Sequence, residues 1–312
     1  MTVIIAVANR KGGVGKSTVS TMLAHSLSVW ARQRVLVIDL DSQANSSLIL
    51  MGGNNWAQAR IEDRTAADYL FEQFSSDRGD AERFIHPQAG DLLDMDGFPP
   101  QLGLIPGSLE MENYERDLLH RLSGSNSDLA RVSETIKGRI NKRITQAGLN
   151  FDVIVVDCPP GISFATEAAL ALADKVIVPF RPDYVSLFAV DRIARMIEDA
   201  PNPRALQEIP KASRRYIALA NLCQNKPSHQ RLIEDIGAFH PVMKTQIPHS
   251  SAVANAFDWE RQRKFMDKKY GAAVSVVRDL YSELSPLIKD IEKKKGVAGV
   301  WQQKTLFTRP TV

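Results

Sequence analysis

Short apolar runs alternate with segments of helical periodicity along this chain of 312 residues. Each run ends at polar or turn-forming residues, which is typical of buried strands in a parallel sheet. Six such runs cover residues 3–8, 34–38, 102–108, 151–157, 173–180 and 217–221. Between them, apolar residues recur at helical spacing, as in 19–30 and 184–197. The alternation predicts an α/β fold with a doubly wound, mostly parallel sheet flanked by helices.

The first strand leads into a glycine-rich turn that reads R-K-G-G-V-G-K-S-T over residues 10–18. Glycines at a strand-to-helix junction let backbone N–H groups approach a polyphosphate. Lys16 can neutralise phosphate charge, and the hydroxyl of Ser17 can ligate Mg²⁺. An incidental turn is the alternative, but the flanking strand and helix count against it. The predicted phosphate-binding residues are Lys11, Gly12, Gly13, Val14, Gly15, Lys16, Ser17 and Thr18.

Aspartates follow two of the predicted strands. Asp39 and Asp41 come after the run 34–38, and strand alternation places both on one side, where they can reach Mg²⁺ or a water. Asp157 ends another apolar run in the Walker B pattern and is expected to hold Mg²⁺ through a water. A polar loop with a helix cap is the alternative for Asp39 and Asp41. Their position shortly after a phosphate loop favours the site.

Three signatures carry a resemblance to a known family. K-G-G-x-G-K-[ST] at 11–17 resembles the deviant Walker A motif of the ParA/MinD family of ATPases. D-x-D-x-Q-x-N at 39–45 is similar to the second family signature, with Ser42 in place of the common proline. D-x-P-P at 157–160 fits the third. Arg10 stands where the ordinary P-loop has glycine, so the loop resembles the deviant form only.

The resemblance covers about residues 3–290 and implies a P-loop NTPase fold. We expect a single ParA-like ATPase domain over residues 1–292, followed by a C-terminal tail at 293–312. Within the domain, residues 51–150 form a variable insert that is longer than minimal. The sequence leaves open whether this insert is a specificity element or padding.

The resemblance also implies roles for single residues. Lys11 would reach across a nucleotide-sandwich dimer to the ATP of the partner subunit. Asp41 would orient or activate the attacking water, so Lys11, Lys16 and Asp41 are the predicted catalytic residues. The implied metal ligands are Ser17, Asp39 and Asp157. The implied adenine contacts are Asn221 and, at the start of a loop over the base, Pro248.

Charge is distributed unevenly along the chain. Residues 204–312 hold 19 Lys and Arg against 10 Asp and Glu, whereas the remainder is acidic. A basic third on an acidic body indicates an anionic partner, although solvated helix faces are the alternative. Aromatic residues do not interleave the basic clusters, which favours contacts with duplex phosphates. The predicted DNA contacts are Lys211, Arg214, Arg215, Arg261, Arg263, Lys264, Lys268 and Lys269.

Cysteine content and hydropathy narrow the protein class. Cys158 and Cys223 are the only cysteines, and neither belongs to a ligand-spaced pair, so we expect neither disulfides nor an iron–sulfur cluster. No apolar run is long enough to span a bilayer. The chain enters a core strand after two residues, which leaves no room for a signal peptide. We therefore expect a cytoplasmic, nucleoid-associated protein.

The implied function is a slow, partner-stimulated, Mg²⁺-dependent ATPase. ATP would close a homodimer that binds double-stranded DNA non-specifically, and a ParB-type or cargo adaptor would stimulate hydrolysis. Such a switch would partition or position DNA or a large cargo over the nucleoid.

Three alternatives remain. A MinD-like membrane-cycling ATPase would need an amphipathic helix at 297–307, where the signal is weak, so a membrane partner is not expected. A metabolic ligase or a metal-handling enzyme would need substrate residues that cannot be identified, and the sequence has no cluster of cysteines or histidines. A non-catalytic scaffold is disfavoured by Lys16, Asp41 and Asp157.

Overall fold

The computed structural model describes residues 2–72, 80–123 and 129–296, and its strands form one seven-stranded sheet. The strands are β1 Val3–Val7, β2 Val35–Asp39, β3 Leu102–Ile105, β4 Val153–Asp157, β5 Lys175–Phe180, β6 Tyr216–Cys223 and β7 Val242–Pro248. Their order is β3-β2-β4-β1-β5-β6-β7, and every pairing between them is parallel. The predicted doubly wound parallel sheet is therefore confirmed.

Helices cover both faces of the sheet. They are α1 Lys16–Val29, α2 Asn45–Ile61, α3 Met111–Leu122, α4 Leu129–Ala147, α5 Phe164–Leu172, α6 Tyr184–Ile197, α7 Pro203–Glu208, α8 Pro227–Phe239, α9 Ser251–Asn255, α10 Met266–Tyr270 and α11 Val274–Lys294. None of the helices within the described ranges is long and apolar enough to cross a membrane.

Alternate residues of β1 enter two different hydrophobic cores. Ile4 and Ala6 pack in the core beneath α4, α5 and α6, whereas Ile5 and Val7 pack in the core beneath α1 and α11. Both faces of the strand must therefore be apolar. This is the physical reason why the central strands are continuous apolar runs rather than alternating ones.

The C-terminal helices differ from the sequence-based expectation. Gly271, with a positive φ of 49°, separates α10 from α11. Helix α11 then continues past the domain boundary predicted after residue 292. Beyond it, the Nζ of Lys295 lies 2.5 Å from Asp174 Oδ2 and donates to the carbonyl oxygen of Thr2. The rest of the predicted tail, including 297–307, lies outside the described residues.

The insert at 51–150 contributes an edge strand and two long helices. Among the seven strands β3 pairs with β2, and its Leu104 also forms an antiparallel bridge with His86. Helices α3 and α4 pack over the same face as α5. A short π-helical turn, Asp68–Glu72, follows Thr65. Asp68 accepts hydrogen bonds there from the backbone N–H and the hydroxyl of Thr65.

Candidate nucleotide-binding site

The carboxyl ends of β1, β2 and β4 place the predicted site residues together. Asp39 at the end of β2 is the register partner of Asp157 at the end of β4, and Val7 of β1 is the other register partner of Asp157. The glycine-rich loop follows β1 directly and leads into α1. In parallel sheets this edge is where ligands bind. The structure thus brings the loop and the carboxylates to one place.

The phosphate loop leaves backbone N–H groups available. Gly15 begins α1 with φ 85° and ψ 35°, a left-handed conformation that favours glycine. A Cβ on Gly15 would lie 2.0 Å from the Nδ2 of Asn221, so no other residue fits without a shift. No side chain of the described residues caps the first turn of α1, and the space beside Gly12 and Gly13 is open. The loop can therefore surround a phosphate group with N–H donors.

Lys16 lies at the first position of α1 and is buried. Burial lowers the pKa of Lys16, while Asp157 and Asp41 act in the opposite direction. The ammonium group is thus held close to the carboxylates and to the helix N-terminus. A polyphosphate bound by the loop would supply a further counter-charge to this buried cation.

Two buried carboxylates stand side by side in the site. Burial, followed by repulsion from Asp157, raises the pKa of Asp39 to about 8. Burial raises the pKa of Asp157 to about 6. No basic side chain within the described ranges lies within 4.0 Å of either carboxylate. A divalent cation at this place would relieve the repulsion, so the donor set fits Mg²⁺.

Mg²⁺ does not need a site in which every ligand comes from the protein. Across residues 2–72, 80–123 and 129–296, no group of three or more His, Cys, Asp or Glu side chains is arranged to hold a metal ion alone. Mg²⁺ usually binds one or two carboxylates together with substrate phosphates and waters. Ser17, Asp39 and Asp157 at the phosphate loop match that pattern.

Serine hydroxyls that the sequence analysis did not select hold both carboxylates. Ser47 donates to Asp39 Oδ2 at 2.6 Å, and Ser46 donates to Asp157 Oδ2 at 2.6 Å. Ser20 of α1 donates to the other oxygen of Asp157 at 3.1 Å. The only sequence signal for the first two is that they directly follow the signature 39–45. Ser20 carries no such signal, because its contact arises from the packing of α1 against β4.

Asp41 is oriented by its own turn. Its backbone N–H donates to Asp39 Oδ1 at 3.1 Å, and its Oδ1 accepts from the backbone N–H of Gln43 at 3.0 Å. The turn closes at Ala44, which has a positive φ of 51°. The carboxylate is therefore fixed at the edge of the site without a contacting cation within the described ranges. This position suits the water-orienting role that the resemblance implies.

Lys11 forms an ion pair within its own subunit. Its Nζ lies 2.5 Å from Asp183 Oδ2, and both side chains are partly exposed. Asp183 also caps α6, because its Oδ1 accepts from the backbone N–H of Ser186 at 2.9 Å. Burial alone would raise the pKa of Asp183, but the hydrogen bonds from Lys11 and Ser186 outweigh it and leave this pKa below its ordinary value. The sequence analysis did not select Asp183.

Asn221 lies beneath the phosphate loop. Its buried side chain donates from Nδ2 to the carbonyl oxygen of Val14 at 2.8 Å, and its Oδ1 accepts from the backbone N–H of Leu222. Both ends of the amide are engaged, so the structure places Asn221 as a support of the loop. Pro248 ends β7, and the next backbone N–H, from His249, donates to Cys223. The adenine contacts predicted for Asn221 and Pro248 remain predictions.

Two of the predicted DNA contacts are buried and must be withdrawn. The guanidinium of Arg214 is enclosed, with the residue only 2% exposed, and it donates to three backbone carbonyls and to the hydroxyl of Tyr216. Lys269 is also buried, and its Nζ lies 2.6 Å from Asp91 Oδ2. Both cations hold distant segments together, which leaves neither accessible to a phosphate backbone.

Of the other predicted DNA contacts, some side chains bind acceptors of this chain and others are exposed without an ion pair to a described residue. Lys211, Arg215 and Arg263 donate to backbone carbonyls that belong to other segments of the chain. Lys264 pairs with Glu260 at 2.5 Å. Arg261 and Lys268 are exposed, and neither forms an ion pair with another described residue. The open positive surface is therefore smaller than the sequence suggested.

Together, the parallel sheet, the uncapped glycine-rich loop and the adjacent carboxylates define a P-loop nucleotide-binding protein. A family model described as an AAA domain matches residues 2–205, more than half of the chain, so the chain belongs to this family. The relatives of this chain place the chain with the ParA/MinD-type partition ATPases, which confirms the resemblance drawn from the three signatures.

Two relatives show the extent of the similarity. A putative replication protein A of Sinorhizobium fredii is 28% identical over 258 residues, covering 81% of this chain and 58% of that protein. The sporulation initiation inhibitor protein Soj of Bacillus subtilis is 28% identical over 194 residues, covering 62% of this chain and 64% of Soj. The chain thus spans less than two thirds of the length of either relative.

Two solved structures share the fold. A putative plasmid partition protein of Borrelia burgdorferi bound to AMPPNP has a TM-score of 0.61 at 17% identity, covering 90% of this chain and 99% of that one. Cobyrinic acid a,c-diamide synthase of Mycobacterium smegmatis with bound ADP and magnesium has a TM-score of 0.60 at 22% identity, covering 95% and 97%. At these identities the likeness establishes the fold alone.

Proposed function

We propose that this chain is an ATP-dependent dimerising switch that hydrolyses ATP and binds DNA non-specifically, in order to partition or position DNA or a large cargo. The observation that carries the proposal is the arrangement of Lys16, Asp41 and Asp157 around an uncapped helix N-terminus at the carboxyl edge of the sheet. A non-catalytic scaffold would have no need for all three side chains.

The first step is the binding of MgATP. The N–H groups of residues 12–18 surround the phosphates, and Lys16 balances their charge. Ser17, Asp39 and Asp157 would hold Mg²⁺, which would offset the negative charge of the phosphates. The bound AMPPNP, ADP and magnesium of the two structural neighbours support this assignment.

Hydrolysis depends on Asp41. This carboxylate lies near Lys16 but is held by the turn 41–44 rather than by a cation. It is therefore free to accept a hydrogen bond from a water and to direct it at the γ-phosphate. The expected turnover is slow until a ParB-type or cargo adaptor stimulates it.

In the proposed dimer, Lys11 has a role in joining the two subunits. In the deviant loop this lysine contacts the triphosphate of the partner subunit, so ATP joins two subunits and hydrolysis separates them. Two subunits would also double the basic surface near Arg261 and Lys268. ATP would thus couple dimer formation to non-specific DNA binding, and with it to a cytoplasmic, nucleoid-associated location.

DNA retardation tests this function. The wild-type chain is mixed with DNA of unrelated sequences under ATP, ADP or no nucleotide. Binding should require ATP, show little sequence preference and weaken steeply with salt. Arg261→Glu combined with Lys268→Glu should lower the affinity without reducing the basal ATPase rate.

A matched control carries the same change of charge elsewhere. Arg121→Glu combined with Arg131→Glu alters two exposed arginines of α3 and α4, which lie outside the basic third. This variant should bind DNA like the wild type. Equal binding without nucleotide, or an affinity independent of salt, would remove DNA from the proposed function. Flotation of the ATP-bound chain with liposomes would then favour the membrane-cycling alternative.

A further inference from the structure

The segment that follows β3 lies against two aspartates of the nucleotide site. β3 pairs with β2 along its whole length, so the segment 106–108 comes next to Asp39 and Asp41 at the end of β2. Gly107 in this segment is buried, and it belongs to the insert at 51–150, whose role the sequence left open. The insert therefore reaches the carboxyl edge of the sheet, where the site lies.

Two hydrogen bonds in series join Gly107 to Asp39. The backbone N–H of Gly107 donates to the Oγ of Ser47 at 2.8 Å, and the hydroxyl of Ser47 donates to Asp39 Oδ2 at 2.6 Å. All three residues are buried, where an unpaired polar group is costly. The carbonyl oxygen of Gly107 accepts from Nε1 of Trp56 at 2.9 Å. Hydrogen bonds therefore fix Gly107 through both its N–H and its carbonyl group.

The contact between Gly107 and Asp41 requires a residue without a side chain. A Cβ on Gly107 would lie 2.8 Å from the carbonyl oxygen of Asp41 and 3.1 Å from the Cγ of Asp39, whereas ordinary contacts begin at 3.4 Å. Gly107 does not have a positive φ, so the close approach, and not the backbone conformation, requires glycine here. The position of the turn from Asp39 to Asp41 therefore depends on a glycine at residue 107.

We propose that Gly107 and Ser47 are positioning residues for ATP hydrolysis, because they set the positions of Asp39, a metal ligand, and of Asp41, which orients water. The insert is then one wall of the nucleotide site and not padding. This inference rests on the proposed Mg²⁺-dependent hydrolysis. It requires no contact between Gly107 and the nucleotide, since Gly107 acts through the two aspartates.

Gly107→Ala tests the close approach. The added methyl group would displace the backbone of Asp41 by several tenths of an ångström, so kcat should fall about tenfold or more. The Kd for AMPPNP at saturating Mg²⁺ should stay within about twofold of the wild type, because the glycine-rich loop and Lys16 are unchanged. Gly138→Ala is the matched control within the insert, since a Cβ on Gly138 would meet nothing within 4 Å. This control should hydrolyse ATP like the wild type.

Ser47→Ala tests the hydrogen bonds without adding volume. The variant loses the hydroxyl that orients Asp39, so the Mg²⁺ concentration for half-maximal AMPPNP binding should rise about tenfold, a usual effect of losing a hydrogen bond to a metal ligand. Calorimetry of AMPPNP binding at increasing Mg²⁺ measures this without turnover. Ser228→Ala changes an exposed serine of α8 and is the matched control. It should need no more Mg²⁺ than the wild type.

Urea unfolding of the same proteins separates positioning from a purely structural role. A purely structural role would lower the free energy of unfolding but leave kcat and the Mg²⁺ requirement of the folded variants unchanged, and this result would overturn the inference. An equal loss of kcat in Gly138→Ala and Gly107→Ala would overturn it as well. If Gly107→Ala does not fold, the Mg²⁺ requirement of Ser47→Ala decides alone.

Failure of the proposed function would be visible in the wild type. A wild-type chain that does not hydrolyse ATP, or that binds AMPPNP equally well without Mg²⁺, would overturn the proposed hydrolysis and this inference with it. Mg²⁺-dependent hydrolysis by the wild type, together with unchanged kcat in Gly107→Ala and an unchanged Mg²⁺ requirement in Ser47→Ala, would overturn this inference alone.

Discussion

The side-chain amide of Asn221 donates to the carbonyl oxygen of Val14 at 2.8 Å and so joins the end of β6 to a loop 207 residues earlier in the chain. The same amide fills the space where a Cβ on Gly15 would lie. The shape of the phosphate loop therefore depends on a strand that lies two positions away from β1 in the sheet.

The contact between Asn221 and Val14 leads to the first prediction. Asn221→Ala removes a donor from a buried carbonyl and leaves a space beneath the loop, so nucleotide affinity should fall about tenfold, corresponding to about 1–3 kcal/mol for an unpaired buried group. Titration with a fluorescent ATP analogue measures this. Asn225→Ala, an exposed asparagine four residues later, is the control. An unchanged Kd for Asn221→Ala would show that the loop keeps its shape without the amide.

The two lysines of the loop should differ in their effects. Lys16→Ala should abolish productive ATP binding, because the polyphosphate loses its main counter-charge within the subunit. Lys11→Ala should retain nucleotide affinity but lose ATP-dependent dimerisation. Equilibrium binding and sedimentation with a slowly hydrolysed analogue measure the two properties separately. Dimerisation of Lys11→Ala at the wild-type level would contradict the role given to the deviant loop.

Asp41 should separate hydrolysis from binding. Asp41→Ala removes the carboxylate that we propose orients water, while the glycine loop and Lys16 remain in place. Phosphate release should fall by a factor of about 10²–10⁴, the usual contribution of a positioned acid–base group. The ATP-bound dimer should accumulate in parallel. Unchanged turnover would transfer the water-orienting role to another residue of the site.

Two arginines of the basic third should differ in their contribution to the free energy of unfolding. Arg214→Ala removes the guanidinium donor from three backbone carbonyls and from the hydroxyl of Tyr216 and leaves a buried space, so the free energy of unfolding should fall by about 3–5 kcal/mol. Arg261→Ala changes an exposed side chain and should stay within about 0.5 kcal/mol of the wild type. Urea unfolding compares the two. Equal stability of both variants would contradict the structural role of Arg214.

Acid should destabilise the fold through two buried histidines. Burial lowers the pKa of His240 to about 4, and burial followed by the charge of Lys269 lowers the pKa of His25 to about 3. Because the unfolded chain takes up protons near the ordinary value of 6.5, stability is fully present above that pH and is lost as pH falls towards 4 and 3. Each histidine contributes a slope of up to about 1.4 kcal/mol per pH unit.

The contribution of one of these histidines to the pH dependence of stability can be tested. Urea unfolding of the wild type and of His240→Gln is compared at pH values from about 7 to about 4. The variant lacks the titrating ring and should show the smaller loss of stability on acidification. An identical slope in both proteins would assign acid sensitivity to other groups.

The sequence by itself determined six of the seven strands, the phosphate loop and the carboxylates, whereas β7 alternates buried and exposed residues and was not predicted. Strands buried on both faces must be continuously apolar, so runs such as 34–38 and 151–157 could be recognised without any partner strand. The glycines and Lys16 lie next to each other in the chain, and Asp39 and Asp157 follow their strands directly. These features depend on local geometry and on the general rule that parallel strands present their carboxyl ends at one edge.

Only the tertiary structure decided which polar side chains are paired. Lys11 meets Asp183 across 172 positions of sequence, and Ser20 meets Asp157 across 137. The sequence analysis treated Arg214 and Lys269 as surface charges. The packing buries both side chains and provides hydrogen-bond acceptors for their N–H groups. Whether a charged side chain faces solvent or a distant segment depends on how helices pack on the sheet. The order of neighbouring residues in the sequence does not show how the helices pack.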